Sequence, residues 1–195
     1  MPRNAILCIV TFFALAMLSG VTSADGLDAG HRGGDLLFSG VASFIFPVGA
    51  AVYPGFEYVI YGSSMTKPAA IELGVLGKAQ IGFASIPRFN YGYFSFGFGA
   101  FAIARVSSRE LVKRFKWLKA LDFYLSVGPG INFYAYYGDA AYYLNKDTFG
   151  LTVATFDGVS LHLSELLAVK LEFAYWGKYV GPSAAVGVEY KLPRS

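Results

Sequence analysis

The sequence holds a single cysteine and two histidines in 195 residues, and the cysteine, Cys8, lies in an apolar leader. Once that leader is removed no thiol remains, which excludes disulfide frameworks, cysteine-ligated zinc and thiol catalysis together. Two histidines are thin material for a histidine-based metal site. Charge is scarce too: Asp, Glu, Lys and Arg make up 15% of residues and the formal net charge is +3, where ordinary globular domains are about a quarter charged. Without a long basic or acidic tract, a disordered chain, a nucleic-acid binder and a coiled coil are all excluded. Also missing is the repeated uncharged run of about 17–25 residues that marks helical membrane spans. The longest such run beyond the leader, residues 36–56, is broken by Pro47, Pro54, Gly40, Gly49 and Gly55, all poor helix residues. The next runs, 89–104 and 123–138, are shorter and glycine-rich.

What is present is apolar: 55% of residues are hydrophobic, with 18 Phe and 14 Tyr. That composition suits a membrane protein or an unusually apolar secreted one. Residues 1–24 read as a cleavable secretory signal: Arg3 precedes an apolar run from Ala5 to Leu18, and Thr22-Ser23-Ala24 supplies the small residues before the cut. Cleavage is expected after Ala24, with Ser23 the second choice. Residues 25–195 then form one domain.

Period two fits the remainder better than period 3.6. In residues 36–46 and 52–60 the even positions are apolar or small, and Glu57 falls among the odd ones. In 71–83 the odd positions are apolar or small, and Glu72, Lys78 and Gln80 sit on the other face. Even positions 94–104 are Phe and Ala opposite a Tyr/Ser/Gly face that ends at Arg105. Odd positions 121–133 are apolar opposite Asp122, Tyr124, Ser126 and Asn132. Odd positions 167–175 oppose Lys170 and Glu172, and even positions 184–192 oppose Glu189 and Lys191. The apolar face of these seven segments carries no charge. Alternating segments of about ten residues separated by turns are what a membrane-spanning closed sheet requires, because hydrocarbon cannot satisfy an open strand edge.

An eighth strand is expected within 148–163, where Val159, Leu161 and Leu163 alternate with Ser160 and His162. Straight alternation puts Asp157 on the lipid face, so a bulge at Asp157-Gly158 is expected to reset the phase. A rival reading makes Asp157-Gly158 a hairpin turn, which places Glu165 on the lipid side; a turn at Ser164–Leu166 is preferred. An even strand number puts both termini in the periplasm, with outer connections near 47–50, 84–88, 136–147 and 177–182. The Tyr-rich stretch 136–143 is the longest of these, and its rings suit either a ligand or host surface or an interfacial aromatic belt.

The C-terminal Gly187-Val188-Glu189-Tyr190-Lys191-Leu192 resembles the insertion signal of bacterial outer-membrane barrels, a glycine followed at three and five residues by hydrophobic side chains. It departs from that pattern in having Ala185 where a polar residue is usual and in continuing through Pro193-Arg194-Ser195. Taken over residues 33–192, the chain resembles the small eight-stranded outer-membrane proteins of the OmpX, OmpA-barrel and OmpW type. The resemblance implies an all-β, eight-stranded antiparallel up-and-down barrel in the outer membrane of a diderm bacterium. It also implies outer-membrane lipids as surroundings, and barrel-assembly machinery as the partner of the last strand.

Three further features concern function. Glu57, Glu72, Lys78, Asp122, Lys170, Glu172, Glu189 and Lys191 point into a narrow interior, where they must be paired or watered. A plugging salt-bridge network is the favoured reading, and a polar or proton-conducting lumen the other. His162-Leu163-Ser164 is similar to the His-x-Ser pair of the outer-membrane lipid A deacylases. That resemblance would cast His162 as base, Ser164 as nucleophile and Glu172 or Glu165 as orienter. Nothing else of that family's surroundings is found, and the pair falls at the periplasmic end, away from lipid A. Residues 107–119 begin with a helix capping pattern, Ser107-Ser108-Arg109-Glu110, and continue as a basic amphipathic stretch suited to inner-leaflet lipid or the cell wall. A solvated basic turn suits them equally. His31 reads as part of a mobile tail.

No catalytic, cofactor-binding or metal-binding residue is therefore assigned, and no cofactor is expected. The leading expectation is a non-enzymatic barrel with a plugged or narrow lumen, serving envelope structure or surface contact. The alternative is an OmpW-type channel for hydrophobic solutes, lined by Tyr91, Tyr93, Phe101, Tyr124 and Tyr134. A lipid A deacylase-like enzyme and a soluble secreted β-protein stand behind both.

Overall fold

The computed structural model describes residues 31–45, 49–62, 69–86, 90–108, 120–138, 149–176 and 182–193. The expected signal sequence, most of the outer connections and residues 109–119 lie outside the described residues. Eight strands follow in chain order: β1 (Leu36–Ile45), β2 (Gly49–Gly62), β3 (Ala69–Ile86), β4 (Tyr91–Ser108), β5 (Leu121–Gly138), β6 (Phe149–His162), β7 (Leu167–Trp176) and β8 (Pro182–Lys191). Each pairs antiparallel with the next, and β8 returns to β1 to close a barrel. No described helix is long and apolar enough to cross a membrane.

Closure follows from the two-residue period. Residues i and i+2 share a face, so every strand carries one apolar and one polar wall. Among the described side chains, all seven faces read from the alternation point as expected. Phe38, Val52, Phe83, Phe96, Leu125, Phe173 and Val188 face outward and are exposed. Glu57, Lys78, Arg105, Asp122, Glu172 and Glu189 face inward and are buried. An interior of charges inside an exposed apolar shell is the inverse of a water-soluble domain, and it is the surface hydrocarbon requires.

β6 and β7 meet at residues 163–166, the preferred turn. Ser164 Oγ accepts hydrogen bonds from the backbone N–H groups of Leu166 (3.3 Å) and Leu167 (3.0 Å), and Glu165 is exposed. β6 runs unbroken through Asp157-Gly158, so the hairpin reading is wrong. The expected bulge is absent as well: β5 and β6 keep one register from Leu121↔Leu161 to Phe133↔Phe149. Asp157 therefore faces outward between Leu125 and Phe173. Thirteen consecutive backbone pairs outweigh the cost of one outward carboxylate, which lies five residues from the end of the strand. The register shift that does occur is in β2, between Val59 and Tyr61. It leaves Ile60 and Tyr61, consecutive in sequence, both exposed.

Several boundaries differ from the sequence reading. Ser107 and Ser108 pair with Ala70 and Ala69 as the end of β4, while the rest of the expected basic amphipathic stretch lies outside the described residues. Residues 84–86 and 136–138 likewise belong to β3 and β5.

Candidate functional site

The candidate site is the barrel interior, to which seven of the eight strands contribute a charged, histidine or large aromatic side chain. The end that carries both termini is ionic. Arg105 on β4 is its hub: Nε and Nη2 donate to Glu57 Oε1 (3.0 Å) and Oε2 (2.6 Å), and Nη2 donates also to Glu189 Oε2 (2.5 Å). The planar guanidinium suits such two-pronged pairing. Lys170 Nζ reaches the same Glu189 oxygen at 3.0 Å. Asp122 Oδ2 is 2.7 Å from His162 Nε2 and 3.6 Å from His31 Nε2. At the rim Lys191 pairs with Asp35 at 2.7 Å.

His31 is no tail residue. The chain before β1 folds back across the end of the barrel, with Gly34 N–H donating to Val59 carbonyl and Val59 N–H to Asp35 carbonyl. His31 N–H donates to Glu72 Oε1 (2.5 Å). The ring is carried inside to 4% exposure, 5.4 Å from the His162 ring. Burial pushes the His31 imidazole down to about 3, and the Arg105 guanidinium adds to this, so the ring is neutral at physiological pH. Its Nδ1 and Nε2 make no hydrogen bond, and neither does Glu189 Oε1.

Further along the axis Lys78 Nζ donates to Glu172 Oε1 (2.5 Å), and Tyr124 Oη to Glu172 Oε2 (2.9 Å). The two ammonium groups also lie over rings, Lys78 at 4.0 Å from the Phe156 centroid and Lys170 at 4.2 Å from that of Tyr124. Cation–π attraction is strongest where water is excluded. Beyond this layer lie Tyr53, Phe101, Phe156 and Trp176, at most 1% exposed. They come from β2, β4, β6 and β7. Phe156 touches the other three rings, at 6.0 Å from Tyr53, 5.1 Å from Phe101 and 5.3 Å from Trp176. Tyr53 and Trp176 stack at 6.4 Å, and Phe101 meets Trp176 edge-on at 5.7 Å. Nearer the far end Gln80 donates to Ser95 (2.8 Å), and the rings of Tyr93, Tyr134 and Tyr136 lie against one another.

All eight inward charges named from the sequence thus face the interior, and all but Lys191 are buried. Arg105 was legible only as the end of a polar face; its partners lie 48 and 84 residues away. Of the proposed solute-lining residues, Phe101, Tyr124 and Tyr134 are buried and Tyr93 is half-buried. They belong to one buried cluster, with Tyr124 bonded to Glu172 and Phe101 packed among the rings. The structure does not assemble the His-x-Ser pair. β6 ends at His162, whose ring turns inward to Asp122, while Ser164 is exposed and holds the turn.

No family model matches the chain, and no curated protein matches it. Solved structures do resemble it. Ail, the attachment invasion locus protein of Yersinia pestis, crystallised with the heparin analogue sucrose octasulfate, is 10% identical with a TM-score of 0.50, over 83% of this chain and all of that one. The outer membrane enzyme PagL is 13% identical with a TM-score of 0.47, over 81% of this chain and 99% of its own. OprG, an outer membrane protein of Pseudomonas aeruginosa, is 11% identical with a TM-score of 0.46, over 85% and 99%. At such identities the likeness concerns fold alone: the chain has the closed eight-stranded antiparallel barrel of the small outer-membrane proteins.

Proposed function

We propose that this chain is an integral outer-membrane barrel with a closed lumen and a non-enzymatic role in envelope structure or surface contact. The observation that carries the reading is the layer of Tyr53, Phe101, Phe156 and Trp176, four mutually packed rings across the interior, backed by the Arg105 ion-pair network. Eight strands enclose a space that side chains fill, and here they fill it twice. An OmpW-type passage for hydrophobic solutes would have to part the ring layer. A lipid hydrolase would need Ser164 beside His162, and Ser164 is committed to the β6–β7 turn. In this reading the partners are outer-membrane lipids along the apolar wall and the assembly machinery at β8. At 107–119 they are inner-leaflet lipid or the cell wall.

Fractionation and planar-bilayer recording test it. The chain should enter the detergent-requiring outer-membrane fraction, and the purified barrel should carry no steady current. Phe101→Ala combined with Trp176→Ala should admit one. A stable single-channel current through the unmodified barrel, or recovery in the soluble periplasm without detergent, would overturn it.

A further inference from the structure

The ionic end of the barrel contains more negative charge than its pairing explains. Among the described residues five buried carboxylates (Glu57, Glu72, Asp122, Glu172, Glu189) face three buried cations (Lys78, Arg105, Lys170). The Asp35–Lys191 rim pair is separate and neutral. Buried carboxylates in excess of buried cations are costly unless a further cation lies near them. The excess has a location. One ligand atom each from His31, His162 and Glu189 lies within 4.8 Å of the other two. Glu189 gives Oε2 to Arg105 and Lys170, and its Oε1 makes no hydrogen bond. That oxygen is 3.9 Å from His31 Nε2, which makes none either. Both side chains are at least nine-tenths buried.

We infer that His31, His162 and Glu189 form a binding site for a divalent d-block cation of the zinc class, with Asp122 anchoring the His162 imidazole. Two nitrogens and one oxygen match the catalytic type of zinc donor set, leaving a fourth position for water. Tetrahedral ligands about 2.0–2.1 Å from zinc stand about 3.3–3.4 Å apart, so separations of at most 4.8 Å must contract on binding. A carboxylate bonded to a ligating histidine is the usual companion of such a site, fixing ring orientation and tautomer, and Asp122 Oδ2 holds His162 Nε2 in this way. Imidazole donors disfavour magnesium and calcium, which take oxygen ligands. Arg105 does not occupy the site, since it draws Glu189 by the other oxygen and leaves Oε1 for the metal. The site lies at the terminal end, and an ion there would tie the segment before β1 (His31) to β6 and β8.

The test uses the purified, untagged barrel in detergent, stripped with a chelator and titrated with zinc chloride, with bound metal counted after gel filtration. Cobalt(II) replaces zinc for a visible spectrum. One zinc per barrel should be retained, magnesium and calcium at equal concentration should not displace it, and cobalt should give the intense bands of a tetrahedral site. His31→Ala removes a ligand that precedes β1 and makes no side-chain hydrogen bond, so the barrel should still form, as its heat-modifiable migration on gels would show. It should weaken zinc binding by about tenfold or more, and His162→Gln should do the same. Zinc retention by the unmodified barrel no greater than by His31→Ala would overturn the proposal. So would equal competition by magnesium, or an octahedral cobalt spectrum. None of these results bears on whether the lumen is closed.

Discussion

At the terminal end of the lumen Arg105 is gripped by Glu57 and Glu189; four residues earlier on the same strand, Phe101 packs edge-on against the rings of Phe156 and Trp176. The two layers fill the same narrow cylinder with opposite materials. The ionic layer gains directionality: each group has one or two acceptable partners at fixed angles, and every partner lies on a different strand. Its net contribution to stability is small, because desolvation offsets attraction, but breaking it is costly. The aromatic layer is non-directional and gains from area and dispersion, so it tolerates changes of shape that preserve volume. Neighbouring layers of one barrel thus divide the work. Charges specify which strands meet, and rings fill the space between them.

Substitutions at four positions break or sharpen that contrast. The largest effect is expected at Arg105. Arg105→Met should destabilise the barrel by about 3–5 kcal/mol, because two carboxylates lose their main counter-charge, as read from urea unfolding in lipid vesicles. Arg105→Lys should restore little, since an ammonium cannot reproduce the fork; full recovery would show that charge alone matters there. Next is Phe101→Ala, expected to cost about 3 kcal/mol through the cavity it leaves, whereas Phe101→Leu should cost less than about 1.5 kcal/mol. If leucine proved as harmful as alanine, the ring layer would be as geometrically exacting as the ionic one.

Third, Asp157→Val should stabilise the folded barrel by about 1 kcal/mol, a little below the penalty for a cationic side chain on a lipid face, in the same unfolding assay. Unchanged or lower stability would mean that Asp157 is not in contact with hydrocarbon. The smallest change is expected for Ser164→Ala, about 0.5–1 kcal/mol for two lost turn hydrogen bonds. The acyl composition of cellular lipid A should be unaltered, which mass spectrometry of extracted lipid would check.

Much of this architecture is legible in the chain. The outward Phe96 and inward Lys78 follow from alternation alone, and the turn at Ser164 from the cost of placing Glu165 on the lipid side. Asp157 marks the limit of that legibility: a charge in lipid argues for a bulge, while a continuous ladder from Leu121 to Phe133 keeps the register. His31 shows the converse. Nothing in a glycine-rich segment marks it as buried, because its position depends on backbone bonds to Val59 and Glu72, well separated in sequence.

The sequence by itself determined the strand faces, the barrel class and which charges turn inward, because a period of two acts locally and a lipid-facing wall must be apolar. Only the tertiary structure decided which carboxylate meets which cation, that four rings from four strands pack together inside the barrel, and that His31 lies beside His162 and Glu189. Those contacts span 94 residues in the case of Lys78 and Glu172, and exist only once β8 has closed on β1. Hydrophobic alternation carries no record of the rotation and stagger that bring opposite walls of a barrel together.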